Sequence, residues 1–243
     1  MKEELRRLLT DLTSLQGVGG QEGPVVRYLK DALSPLADRV EVDPSGNLYA
    51  FKKGRSERTL LLIAHTDEIG CIVSGIDERG FIRFTRMGGV RDNWLPACRV
   101  SVGGVFGVVG VRPGHLMSEE EERKVLPTRE LFIDVGANSR EEVEALGIGI
   151  GSPITFESPL TSFHNPDLVC GKAIDDRLGC ALVVLLLREL KGEQLPWSLC
   201  AAAAVQEEVG LRGARMAAER VKPECAIVLD TIAGGGTPDV DPE

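Results

Sequence analysis

The sequence predicts a layered α/β fold that carries a second, small β-rich unit inserted in its middle. Three observations predict it. Helical apolar repeats alternate with short continuous apolar runs at residues 60–64, 199–205 and 225–229, toward the two ends of the chain. Those runs are unbroken by polar residues, the pattern of strands covered on both faces. Between residues 70 and 159 the texture changes to short β-prone runs parted by glycine-rich turns.

The elements follow in order. Leu5, Leu8, Leu9, Leu12 and Leu15 recur at helical spacing, which predicts an amphipathic helix ending before Gly17-Val18-Gly19-Gly20. A second helix starts at Pro24. Residues 39–42, a turn at Asp43-Pro44-Ser45-Gly46 and residues 47–52 read as strand, turn and strand, and residues 60–64 as a buried strand. In the β-rich stretch, residues 77–80 read as a hairpin and 100–111 as glycine-spaced strands. Ser139-Arg-Glu-Glu142 reads as the capping box of one helix, and a charged loop lies around residues 119–124. A strongly apolar helix covers 176–190, followed by strands at 199–205 and 225–229 with a helix around 213–220 between them. Gly234-Gly-Gly236 is assigned to a turn. The chain thus divides into an outer domain, residues 1–69 and 160–243, and an inserted domain, residues 70–159.

Composition narrows the function. With 243 residues, 43% hydrophobic and 27% charged, the chain can bury a core and is not a disordered segment. Lys and Arg number 28 against 37 for Asp and Glu, a net charge of −9, so no basic groove for nucleic acid is expected. Apolar stretches such as 181–187 fall short of the roughly 20 residues that span a bilayer, and no apolar signal region follows the N-terminus; no membrane contact and a cytoplasmic location are expected. Six cysteines form no C-x-x-C, which reads as reduced, packed thiols rather than a metal site.

The chemistry lies at strand ends. Residues 60–64 end in His65-Thr66-Asp67, residues 199–205 in Gln206-Glu207-Glu208, and residues 225–229 in Asp230. The carboxyl ends of strands in an α/β sheet form the ligand crevice, so these acids and one imidazole are delivered to a single rim. Acids so placed repel unless a cation sits between them, and His with carboxylates suits zinc, cobalt or manganese. The spacing of His65 and Asp67 lets the carboxylate hold the imidazole that binds metal. In Ala173-Ile174-Asp175-Asp176-Arg177, Asp175 is placed to bridge two ions. One of Glu207 and Glu208 coordinates, and the other stands free as a base. A lone His after a strand is ordinarily structural and a Glu pair ordinarily a solvated face; all three strand ends together argue for a site. His115 and His164, beside prolines, read as loop histidines.

These residues resemble the M42 family of metalloaminopeptidases, the glutamyl-aminopeptidase-like and tetrahedral aminopeptidases. The motifs are Ala64-His-Thr-Asp-Glu-Ile-Gly70, Gly171-Lys-Ala-Ile-Asp-Asp-Arg177, Val205-Gln-Glu-Glu-Val-Gly-Leu-Arg-Gly213 and Val228-Leu-Asp230. Weaker matches run through Val108-Val-Gly-Val-Arg-Pro-Gly-His-Leu116 and Asp134-Val-Gly-Ala-Asn-Ser-Arg-Glu-Glu142. The resemblance implies a mixed-sheet metallopeptidase domain with a PDZ-like dimerisation domain at 70–159. It implies two divalent ions, zinc or cobalt: His65, Asp175 and Asp230 hold one, Asp175 and Glu208 the other. Glu207 is then the general base, and Asp67 orients His65. Assembly as a homo-oligomer, dimer or dodecamer, acting on short peptides is implied as well. In the family the second ion takes a further histidine from beyond the position of Asp230, and none follows Asp230 here. A C-terminally incomplete catalytic domain is therefore expected, with a weakened second site and apolar surface open near 199–205 and 225–229. The alternative is an impaired homologue that only binds metal and self-associates. A glycoside hydrolase would need a carboxylate pair flanking a sugar, whereas the pattern of His65 with Asp230 is metal chemistry.

Overall fold

The leucine stripe forms the inner face of helix α1 (Lys2–Ser14), and α2 (Gly23–Leu33) follows the glycine turn with Pro24 in its first turn, where its missing N–H costs nothing. In this computed structural model, which describes residues 1–116, 118, 124–232, 234 and 238, both helices cover one face of a mixed five-stranded sheet. The sheet order is β1 (Arg39–Val42), β2 (Leu48–Lys52), β12 (Trp197–Ala204), β3 (Ser56–His65) and β13 (Cys225–Val228). Strands β12, β3 and β13 run parallel, and β1 and β2 are antiparallel to their neighbours. Strand β3 begins before residue 60, since its polar first residues pair with the start of β12 while staying partly solvated.

Alternation along β3 and β12 divides the core. Leu62, Ala64, Leu199, Ala201 and Ala203 meet α1, α2 and α4 (Ile174–Glu189), while Leu61, Ile63, Cys200, Ala202 and Ala204 face Ala217 of α5 (Arg212–Val221). The result is three layers, helix on sheet on helix. The expected opening of apolar surface is confined to one place. Residues 199–205 are buried on both faces, whereas all of Cys225–Val228 is exposed because, among the described residues, β13 pairs with β3 alone and sits at the sheet edge.

The β-rich stretch closes into a six-stranded barrel. Strands β4 (Gly70–Ile76), β5 (Ile82–Met87), β8 (Phe132–Asp134), β7 (Val105–Gly110), β6 (Arg99–Val102) and β9 (Pro153–Phe156) follow one another around it. Val73, Ile82, Val102, Ile133 and Ile154 fill the interior. Helix α3 (Arg140–Ala145) is capped by Ser139, whose hydroxyl accepts the Glu142 N–H. A two-residue pair, β10 (Thr161–Ser162) with β11 (Val169–Cys170), was not expected; it is held from outside by α1, where Lys2 meets Asp167 and Arg6 meets Ser162 and the Pro166 carbonyl. Residues 119–123 of the expected charged loop, and residues 235 and 236 of the expected turn, lie outside the described residues.

Candidate metal centre

The parallel strands bring their ends to one rim. His65 closes β3 and pairs with Ala204, which closes β12, so the next turn carries Gln206, Glu207 and Glu208 beside it. Val228 pairs with Ile63, which brings Asp230 level with His65. Asp175 enters from the start of α4. The donor atoms of His65, Asp175 and Asp230 all lie within 4.8 Å of one another, as do those of His65, Glu207 and Glu208. His65 Nε2 is 3.0 Å from Asp175 Oδ1 and 3.9 Å from Glu207 Oε2. Five of the six expected site residues therefore meet, although Asp175 and Glu208, the pair expected to share an ion, fall in different groups with His65 common to both. Both remaining histidines are exposed; His164 lies in a loop as expected, whereas His115 sits in a short 3-10 turn, Gly114–Leu116.

Asp67 does more than its spacing suggested. It is fully buried, with Oδ1 3.4 Å from His65 Nδ1, and its own carbonyl oxygen is nearer to that nitrogen at 3.2 Å. A proton on Nδ1 turned toward Asp67 leaves the Nε2 lone pair facing Asp175 and the rim. The Asp67 carboxylate also takes the backbone of the opposite turn: Oδ1 accepts the Glu207 N–H at 2.9 Å and Oδ2 the Glu208 N–H at 3.0 Å.

Behind the rim lies an ionic cluster that the sequence reading did not foresee. Glu68 is buried and accepts from the Gly17 N–H at 3.1 Å and from Lys172 Nζ at 2.9 Å, with Arg177 Nη2 3.6 Å away. Arg177 in turn donates to the carbonyls of Thr66 and Leu12, and Lys172 to that of Leu15. The signal was available: Lys172 and Arg177 flank Asp175, so both sides of that residue are moored to the end of α1 and to the segment after β3.

The electrostatics ask for a cation. Burial depresses the His65 pKa, but Asp67, Asp176 and Asp175 outweigh it and carry the pKa up to about 9. Burial raises Glu207 and Glu208 above the ordinary carboxylate range; His65 opposes this, and the neighbouring acids add to it. Burial likewise lifts Asp176 to about 7. Several acids crowd one imidazole, and a donor set of one ring nitrogen with several carboxylate oxygens fits a divalent ion such as zinc, cobalt or manganese.

Comparison with known proteins gives a consistent result. The family model for M42 glutamyl aminopeptidase matches residues 46–243. FrvX of Escherichia coli (strain K12), which carries a provisional aminopeptidase name, is 38% identical over 241 residues, covering 96% of this chain and 66% of its own length. Among solved structures, the TET aminopeptidase from a marine sediment Thaumarchaeota archaeon is 36% identical with a TM-score of 0.92, covering 97% of this chain and 68% of that one. The Pyrococcus horikoshii TET1 peptidase, described as assembling into a tetrahedron or a large octahedral shell, is 32% identical with a TM-score of 0.86, over 98% of this chain and 72% of that one. The chain spans about two thirds of the length of the curated relatives it matches.

Proposed function

The chain belongs to the M42 glutamyl aminopeptidase family, and from that premise we propose that it is a metal-dependent aminopeptidase releasing N-terminal residues from short peptides. The observation that carries the proposal is the meeting of His65, Asp175, Asp230, Glu207 and Glu208 at one rim. In this reading His65, Asp175 and Asp230 hold one ion, and Asp175 with Glu208 holds a second. Two divalent ions, zinc or cobalt, would supply Lewis acidity toward the attacking water and the scissile carbonyl. Glu207, lifted above the ordinary carboxylate range by burial, takes the proton of that water and hands it to the leaving amine. Asp67 keeps the His65 ring turned and the turn of the two glutamates in place. The acidic rim attracts the free α-ammonium of the substrate.

The division of labour follows the chain. Residues 1–69 and 160–243 form the catalytic unit, and residues 70–159, with their closed barrel, serve as a PDZ-like association module for a homo-oligomer. The assembly described for the Pyrococcus horikoshii relative supports such a role, and an enclosed chamber would restrict substrates to short peptides.

Neighbouring substitutions test the roles. Glu207→Gln is expected to keep metal affinity and lose about 10²- to 10⁴-fold in turnover, whereas Glu208→Gln loses metal affinity as well. Metal titration by calorimetry and turnover of aminoacyl chromogenic substrates read the two effects separately. Equal metal loss in both variants would contradict the assignment. Tight metal binding by the parent chain with no turnover would favour an impaired homologue that binds metal and self-associates.

A further inference from the structure

The turn that carries both glutamates is unusual. Gln206 has φ +56°, the left-handed region that a non-glycine residue seldom enters. A left-handed residue in such a turn points successive N–H groups inward as a small anion-binding concavity. Here three consecutive amides are taken by two buried carboxylates from distant parts of the chain. Asp67 accepts those of Glu207 and Glu208, and Glu22 Oε1 accepts that of Gln206 at 3.0 Å. Glu22 is 5% exposed, directly precedes α2, and also accepts the Gly20 N–H at 2.9 Å.

Glu22 touches none of the expected ligands or the base through its side chain. Among the described residues its long-range hydrogen bond reaches the residue immediately before them. It does not cap α2, since no side-chain bond runs from it to the first turn of that helix. We infer that Glu22 is a positioning residue: through the Gln206 amide it fixes the left-handed turn from which Glu207 and Glu208 project. The inference rests on the proposed metallopeptidase reading for its functional meaning, and on the hydrogen bond alone for its structural part.

Three variants separate reach from charge and from helix capping. Glu22→Gln keeps the chain length and one acceptor oxygen. Glu22→Asp keeps the charge but withdraws the carboxylate by about 1.5 Å, beyond reach of Gln206. Glu22→Ala removes both. A capping role predicts that Asp is tolerated and Gln is not, the reverse of a positioning role. In the metal-free chain, amide hydrogen exchange of residues 206–208 is expected to rise at least about tenfold in Glu22→Asp and Glu22→Ala and to stay within about threefold of the parent in Glu22→Gln. Cobalt(II) affinity, followed by the visible spectrum, should fall about 10- to 100-fold in Glu22→Asp and be largely retained in Glu22→Gln. Should Glu22→Ala fail to fold, the contrast between Asp and Gln carries the test. Parental exchange at residues 206–208 in Glu22→Asp would overturn the inference. A parent chain that binds no cobalt would sink the metallopeptidase reading instead, because the exchange comparison is made without metal.

Discussion

Two rows of carboxylates meet at the end of the sheet, and the protein treats them in opposite ways. The rear row, Glu22, Asp67 and Glu68, is buried, and each member receives hydrogen bonds from backbone N–H groups or a partly buried lysine. The front row, Asp175, Glu207, Glu208 and Asp230, is more open to solvent and gathers around a single imidazole. Buried charge is tolerable where the fold supplies its own donors, and the rear row is so supplied. In the front row, burial first and the neighbouring acids after it lift Glu207 and Glu208 above the ordinary carboxylate range, a strain that a bound cation would relieve. One row builds the scaffold; the other stays available for chemistry.

That contrast can be broken in three ways, the largest first. Glu68→Ala leaves the buried Arg177 and the partly buried Lys172 without their counter-charge and is expected to cost about 3–5 kcal/mol in urea unfolding. A loss below about 1 kcal/mol, the range of an exposed pair, would move Glu68 out of the scaffold. Next, zinc or cobalt at a hundred times its dissociation constant should stabilise the parent chain by about 2.7 kcal/mol. The same titration of Asp175→Asn should shift the unfolding midpoint far less; an equal shift in both would place the ion elsewhere. The smallest effect has the opposite sign. Without metal, Glu208→Gln should raise stability at pH 7 by less than about 1 kcal/mol, since it removes a half-buried charge that other acids crowd. A carboxylate whose folded-state pKa is raised penalises folding while ionised. The gain is therefore full above that pKa, fades as pH falls from it toward the ordinary carboxylate value, and is gone below that value. A gain that grew on acidification would refute it.

The front row was legible in the sequence and the rear row was mostly not, for a physical reason. His65, Glu207, Glu208 and Asp230 each follow an apolar run, and parallel pairing sends such positions to one edge whatever the rest of the fold does. Asp67 was visible through its spacing from His65, yet its bonds to the Glu207 and Glu208 amides were not, because a backbone N–H leaves no mark on residue type. Glu22 is hidden for the same reason, its partner being 184 positions away. The fold shows the same divide. Helices α1 and α5 and the Ser139 cap announce themselves by periodicity and local chemistry. The pairing of β10 with β11 depends on contacts with α1, and the exposure of β13 on its place at the sheet edge, neither of which is local.

The chain crosses between the sheet unit and the barrel twice, and both crossings lead to expected metal ligands. The barrel is entered through residues 66–69, directly after His65, and left through the stretch that ends at Asp175. Its entry is a tight bearing: a methyl group on Gly70 would come within 2.4 Å of Val18 and 2.5 Å of the Ile154 carbonyl oxygen, and Glu68, two residues before it, is bridged to Val18. In mechanical terms the barrel is a cantilever whose root lies under the reactive rim. Besides these two chain crossings the barrel touches the outer unit at the end of α1, where Gln16 Nε2 donates to the Ser101 hydroxyl at 2.6 Å. The segments that fasten the barrel are thus the same ones that carry His65 and Asp175 to the rim.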